Sequence, residues 1–151
     1  MNMKKTIVLI SLFYFLLFFS SIAQGSFGVA PRELSVTMTD EFIQGNYFKN
    51  ITITNSNNYE INITWYLDHP SSDMIRPDKT TIPDLSWIDV KPKWELIPTQ
   101  SSTKFYVYLN IPEEQENLKQ KWESWIVFKQ QDQQFINIEN AVRFYINTPP
   151  K

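Results

Sequence analysis

The sequence predicts an all-β fold, with seven to eight short strands packed as a two-sheet sandwich and at most one short helix. Three observations lead there. Apolar and polar residues alternate in one short run after another, the period-two pattern of a strand with one buried face. Clusters of turn-forming residues separate these runs at the spacing typical of sandwiches. No stretch of any length carries a helical period.

Taken in order, Leu34, Val36 and Met38 alternate with Glu33, Ser35 and Thr37. Residues 47–54 repeat the pattern, with Ile51 and Ile53 inward and Asn50, Thr52 and Thr54 outward. Asn55-Ser56-Asn57-Asn58 is a run of turn formers. Ile61, Ile63, Trp65 and Leu67 then alternate with Asn62, Thr64 and Tyr66. The two runs read as a β-hairpin closed by a four-residue turn, with Trp65 buried in the core.

Residues 68–84 carry Pro70, Pro77 and Pro83 and read as a long loop, because proline cannot donate into a ladder. Trp87-Ile88-Asp89-Val90 is a short strand, and residues 94–97 are another or a kinked continuation past Pro92. After a turn over 98–102, Phe105, Val107 and Leu109 alternate with Lys104, Tyr106, Tyr108 and Asn110 until Pro112. Residues 113–121 are the one helical candidate, with acids at the start and Lys119 and Lys121 near the end. Its apolar face is thin, Leu118 and Trp122 alone, which predicts a turn or two. A strand over 125–128, a polar turn over 130–134, a strand start over 135–138 and a closing strand over 141–146 complete the chain. The two proline-rich breaks favour strands that switch between sheets over a closed barrel.

The first residues read as an address. Lys4 and Lys5 precede an apolar run over 7–19 with only Ser11 polar, followed by Ser20-Ser21-Ile22-Ala23. This is the order of a secretory signal peptide, with cleavage after Ala23, or after Gly25 in the alternative reading. The competing reading is an uncleaved membrane anchor, for which residues 7–23 are at the short limit. The expected organisation is a signal peptide over 1–23 and one domain over 24–151, secreted or at the cell surface, from a prokaryote.

Composition removes most chemistries. A formal net charge of −2 argues against nucleic acid as a partner. The chain has no cysteine, one histidine and three glycines, the last of them Gly45. Thiol nucleophiles, disulfides, multi-histidine metal centres and glycine-rich phosphate loops are therefore excluded, and neither cofactor nor metal is expected. The one enzyme option left is a carboxylate pair among Asp84, Asp89 and Glu95 near Trp87, but the spacing singles out no pair. His69 reads as a surface residue, and Glu113, Glu114 and Glu116 as a solvated helix start rather than a calcium loop. The expectation is that the protein is not an enzyme.

Two features point to contact instead. Tyr66, Tyr106 and Tyr108 fall on outward strand phases and form a candidate contact face, unless the 68–84 loop covers them. Asn50-Ile51-Thr52 and Asn62-Ile63-Thr64 are sequons, so Asn50 and Asn62 are candidate glycosylation sites beside the same turn.

Several segments together resemble secreted prokaryotic immunoglobulin-like domains. They are Phe27-Gly28-Val29-Ala30-Pro31, Ile51-Thr52-Ile53-Thr54-Asn55, Trp87-Ile88-Asp89-Val90-Lys91-Pro92, Leu96-Ile97-Pro98 and Val107-Tyr108-Leu109-Asn110-Ile111-Pro112. The set is similar to pilus-chaperone-like and major-sperm-protein-like sandwiches and to the N-terminal domain of WxL-interacting surface proteins. The resemblance implies an immunoglobulin-like fold that binds other proteins or cell-wall polymer without catalysis. The single domain expected here departs from pilus chaperones, which carry two. It also has Thr99-Gln100 where the turn before the long strand usually holds glycine.

The expected function is an exported, non-catalytic domain that acts by protein–protein contact at the cell surface or in an extracytoplasmic assembly. Its partner is then another extracytoplasmic protein, met by sheet-edge pairing or through an aromatic face, and the strand over 33–38 is the expected edge. The alternative is a carbohydrate- or cell-wall-binding module that meets surface polysaccharide through exposed aromatics. Membrane contact is expected only through an uncleaved N-terminal segment.

Overall fold

A computed structural model describes residues 26–131 and 138–151; the segment read as a signal peptide, and residues 132–137, on which most of the expected polar turn over 130–134 and strand start over 135–138 fall, lie outside the described residues. The described residues form ten strands: β1 (Phe27–Ala30), β2 (Glu33–Thr37), β3 (Gln44–Asn55), β4 (Ile61–Asp68), β5 (Thr80–Thr81), β6 (Ile88–Lys91), β7 (Trp94–Ile97), β8 (Ser101–Asn110), β9 (Lys121–Gln130) and β10 (Glu139–Asn147). One sheet has the order β1-β3-β8-β6, the other β2-β10-β9-β4-β7, with β5 paired to one end of β9.

The count exceeds seven to eight for a physical reason. Pro31 and Pro92 each interrupt a run, and the halves on either side enter different sheets: β1 and β2 at the first break, β6 and β7 at the second. The loop between β4 and β6 adds the two-residue β5.

The inward phases read from sequence are those of the core. Leu34, Val36, Met38, Ile51, Ile53, Ile61, Ile63, Phe105, Val107 and Leu109 are all buried in one cluster shared by the two sheets. Phe105 of β8 meets Phe128 of β9 edge to face across the sandwich at 5.2 Å between ring centroids.

Two local expectations are corrected and a third holds. The runs expected to form a hairpin do not pair: β3 lies between β1 and β8, while β4 lies between β9 and β7 in the opposite sheet. Asn55 explains the arch. Fully buried, it accepts from the Asn57 amide through Oδ1 and donates through Nδ2 to the carbonyls of Tyr59, Ile97 and Pro98. The turn is thus tied to the far strand ends instead of closing a ladder. Trp65 is half-buried, not buried. It stands near the β7 edge, where its indole N–H donates to the Pro92 carbonyl at 2.8 Å and Lys93 Nζ sits 3.9 Å from its ring centre. The helical candidate is a single 3₁₀ turn, Gln115–Asn117, as its thin apolar face allows.

Candidate functional site

The outer face of the six-stranded sheet is divided in two. Residues 69–79 fold over one half and are pinned there by charge. Glu123 of β9 points outward, yet it is fully buried beneath this loop. Its carboxylate accepts from the Arg76 backbone N–H at 3.0 Å and from the Trp125 indole N–H at 3.2 Å, and Arg143 Nε lies 3.5 Å away. Arg143 in turn donates to the Met74 carbonyl. The Arg76 guanidinium stacks 4.3 Å from the Tyr145 ring centre and donates to both carboxylate oxygens of Glu33 on β2, at 3.1 and 3.0 Å. Burial, and then the Glu123 and Glu33 charges, push the Tyr145 hydroxyl above the ordinary phenol range despite the opposing pull of Arg143 and Arg76. Glu33, Ser35, Arg76, Lys79 and Tyr145 line a shallow groove of about 370 Å³ beside β2.

The other half is open. Strand register sets Trp94, Thr64, Lys129 and Glu139 in one row across β7, β4, β9 and β10. Trp94 is 60% exposed, Leu96 45% and Tyr66 40%. The Tyr66 hydroxyl donates to Glu139 Oε2 at 3.0 Å, two strands away. Desolvation and this carboxylate raise its pKa.

The three candidate tyrosines do not form one face. Tyr66 is on the outer surface of the six-stranded sheet, whereas Tyr106 and Tyr108 of β8 face outward from the four-stranded sheet. Their shared outward phase is correct, but phase does not say which sheet a strand joins. Tyr106 is 37% exposed, and Lys91 Nζ lies 5.0 Å from the Tyr108 ring centre. The hydrogen bonds that hold the 69–79 loop run to β2, β9 and β10, in the sheet opposite to β8.

The sequon asparagines separate in the same way. Asn50 is on β3 and Asn62 on β4, in opposite sheets, and both are half-buried. The acids near Trp87 have local partners. Asp84 caps the Leu85–Trp87 turn through the Ser86 amide at 2.8 Å, which with the Ser86 hydroxyl lowers its pKa. Asp89 pairs with Lys93 at 3.3 Å and with Lys91 at 3.8 Å. Glu95 takes the inward phase of the β7 edge, opposite Ile63. Among the described residues, no three histidine or acidic side chains gather as a metal site, and no helix is long and apolar enough to cross a membrane.

Two parts of this surface were missed from sequence. The signal for Trp94 and Leu96 was present, since both take the phase opposite to the core residue Ile97. The Glu123 clamp had none, because Arg76 reaches it from a loop 47 residues away.

No family model matches the chain, and no curated protein does. Solved structures match its fold. The Escherichia coli chaperone DraB superimposes with a TM-score of 0.56 at 12% identity, over 83% of this chain and 56% of that one. The Salmonella enterica SafB chaperone–SafA pilin structure gives 0.58 at 9%, over 85% and 57%. A "putative carbohydrate binding protein" from Bacteroides ovatus gives 0.63 at 10%, over 82% and 37%. The chain spans little more than half the length of the chaperones. At these identities the likeness is one of fold: the immunoglobulin-like sandwich of the pilus-chaperone kind.

Proposed function

We propose that the protein is an exported, non-catalytic contact domain that engages another extracytoplasmic protein by strand addition at β2. The observation that carries the reading is the direction of the β2 peptide groups. Arg143 N–H donates to the Arg32 carbonyl, and Met38 N–H donates to the Asn147 carbonyl. Peptide groups alternate in direction along a strand, so those of Arg32, Leu34, Val36 and Met38 face β10. Those of Glu33, Ser35 and Thr37 then face away from the sheet, on a strand that ends it.

The other three edges are guarded. β1 runs into Pro31, β6 carries Asp89 and Lys91 before Pro92, and β7 turns Glu95 inward. β2 has no proline and no bulge, and its one charge, Glu33, is already held by Arg76. Solved neighbours of the same fold include a chaperone bound to a pilin and a chaperone–tip adhesion subunit pre-assembly complex, which supports a protein partner in kind. Export rests on the basic, apolar and small-residue order of residues 1–23.

The test is Ser35→Pro, which deletes an outward donor and leaves the β10 ladder intact. A photo-crosslinking side chain at Thr37, in the native host, is expected to give a discrete adduct that Ser35→Pro abolishes while the thermal midpoint holds. An adduct that survives Ser35→Pro would overturn edge pairing. Mature protein that begins at Met1 would overturn cleavage of the leader.

A further inference from the structure

Trp94 leaves most of its surface in water at the end of a sheet, with Leu96 beside it on the same strand. Exposed apolar side chains are common singly, but here three adjoin. Trp94 lies opposite Thr64, and Tyr66 is the next outward residue along β4, a diagonal neighbour within about 7–8 Å.

Tyr66 does not stand up from the sheet. Its hydroxyl reaches Glu139 on β10, so the ring spans β9, where its register partner Val127 is outward-facing but only 5% exposed. A ring tethered at both ends in this way lies along the sheet and turns one face to solvent. The row from Trp94 to Glu139 crosses three strand spacings, roughly 14 Å. Along it Thr64, Lys129 and Glu139 supply hydrogen-bonding groups. Lys129 and Glu139 pair with each other at 3.7 Å, so the row carries no net charge.

This combination selects a ligand chemistry. An apolar protein surface would strip water from the polar row without replacing its hydrogen bonds. An anionic polymer would meet Glu139 with no spare cation in the row. A neutral polysaccharide matches both halves: the C–H faces of its sugar rings stack on Trp94 and Tyr66, and its hydroxyls exchange hydrogen bonds with the row. We infer that the open half of the outer face, built from Trp94, Leu96, Tyr66, Thr64, Lys129 and Glu139, is a binding site for neutral polysaccharide. The site is separate from the β2 edge and does not depend on strand addition.

Affinity electrophoresis of the whole protein in gels containing laminarin, mannan, xylan, hydroxyethyl cellulose or glycol chitin, with polygalacturonate as the anionic comparison, tests it. At least one neutral polymer is expected to retard the protein. Trp94→Ala is expected to weaken that retardation about tenfold or more, and Tyr66→Ala to weaken it severalfold. Ser35→Pro is expected to leave it unchanged, which separates this site from the edge. Both aromatic side chains are exposed, so an unchanged circular dichroism spectrum is the folding control. Failure of every neutral polymer to retard the protein would overturn the inference. So would full retardation of Trp94→Ala, or retardation by polygalacturonate alone.

Discussion

Replacing Glu123 tests the account of the covered face most directly. Its carboxylate is fully buried and serves three groups at once: the Arg76 amide at 3.0 Å, the Trp125 indole at 3.2 Å and Arg143 at 3.5 Å. Removing one partner of a buried ion pair costs about 3–5 kcal/mol, because the other charge is left behind. Here the cost falls at the lower end of that range, since the Arg143 side chain is one-third exposed and can turn to water. The two neutral donors lose their acceptors and add to the same loss. We expect Glu123→Ala to cost about 3 kcal/mol, and Glu123→Gln, which keeps one acceptor and the volume, roughly half of that. Urea unfolding with a shared m-value measures the loss. Hydrogen exchange at the Arg76 amide reports release of the loop itself, because that N–H is held by Glu123 alone among the described contacts. A Glu123→Ala protein within 0.5 kcal/mol of the parent (about the scatter of surface changes), with Arg76 exchange unaltered, would refute the clamp.

Two further outcomes follow from the geometry. Gln100 has φ of +53°, and its Nε2 donates to the carbonyls of Ser56 and Asn57 at 2.7 and 3.1 Å. Gln100→Ala is therefore expected to lose about 1–2 kcal/mol in urea unfolding, while Gln100→Gly loses less because relief of left-handed strain offsets the missing bonds; equal stability of all three would refute the brace. The raised pKa of Tyr145 means that the folded chain holds the phenol proton more tightly than the unfolded chain does. Its contribution is then complete below the ordinary value of 10.0 and is lost as pH rises above it, so stability should fall in that alkaline window and Tyr145→Phe should flatten the decline. Absorbance titration at alkaline pH alongside urea unfolding checks this, and a Tyr145→Phe protein with the parent's alkaline slope would contradict it.

How far the fold could be read from the chain depends on the range of the interactions that decide it. Alternation is local, and Ile51, Ile53, Ile61, Ile63, Phe105, Val107 and Leu109 all turn inward as their phase requires. Sheet membership is not local. The β3–β4 arch is decided by Asn55 bonding to carbonyls 42 and 43 residues away, and nothing within residues 47–67 distinguishes that arch from a hairpin. The same ignorance of sheet membership joined Tyr66 to Tyr106 and Tyr108 as one face. Gln100 is intermediate between these cases. The resemblance marked its position as one where glycine is usual, and the backbone there is left-handed; the replacement is sustained by the two bonds that its long amide makes across the turn.

The loop over residues 69–79 connects the two proposed surfaces unequally, and this gives the Glu123 variants a second use. On one side Arg76 holds Glu33, the one charge on β2, and stacks on Tyr145 of β10, the strand that β2 pairs with. Freeing the loop therefore frees Glu33 to present an unpaired carboxylate along the edge, a change that opposes strand addition. On the other side, the row from Trp94 through Thr64 and Lys129 to Glu139 is held by strand pairing and by the Lys129–Glu139 ion pair, with no loop residue among its partners. Glu123→Gln is thus expected to reduce the crosslinked adduct at Thr37 and to leave polysaccharide retardation at the parent's value. If the variant lost both equally, the loop would be supporting the whole sheet rather than the β2 edge, and the division of the outer face into two independent halves would not stand.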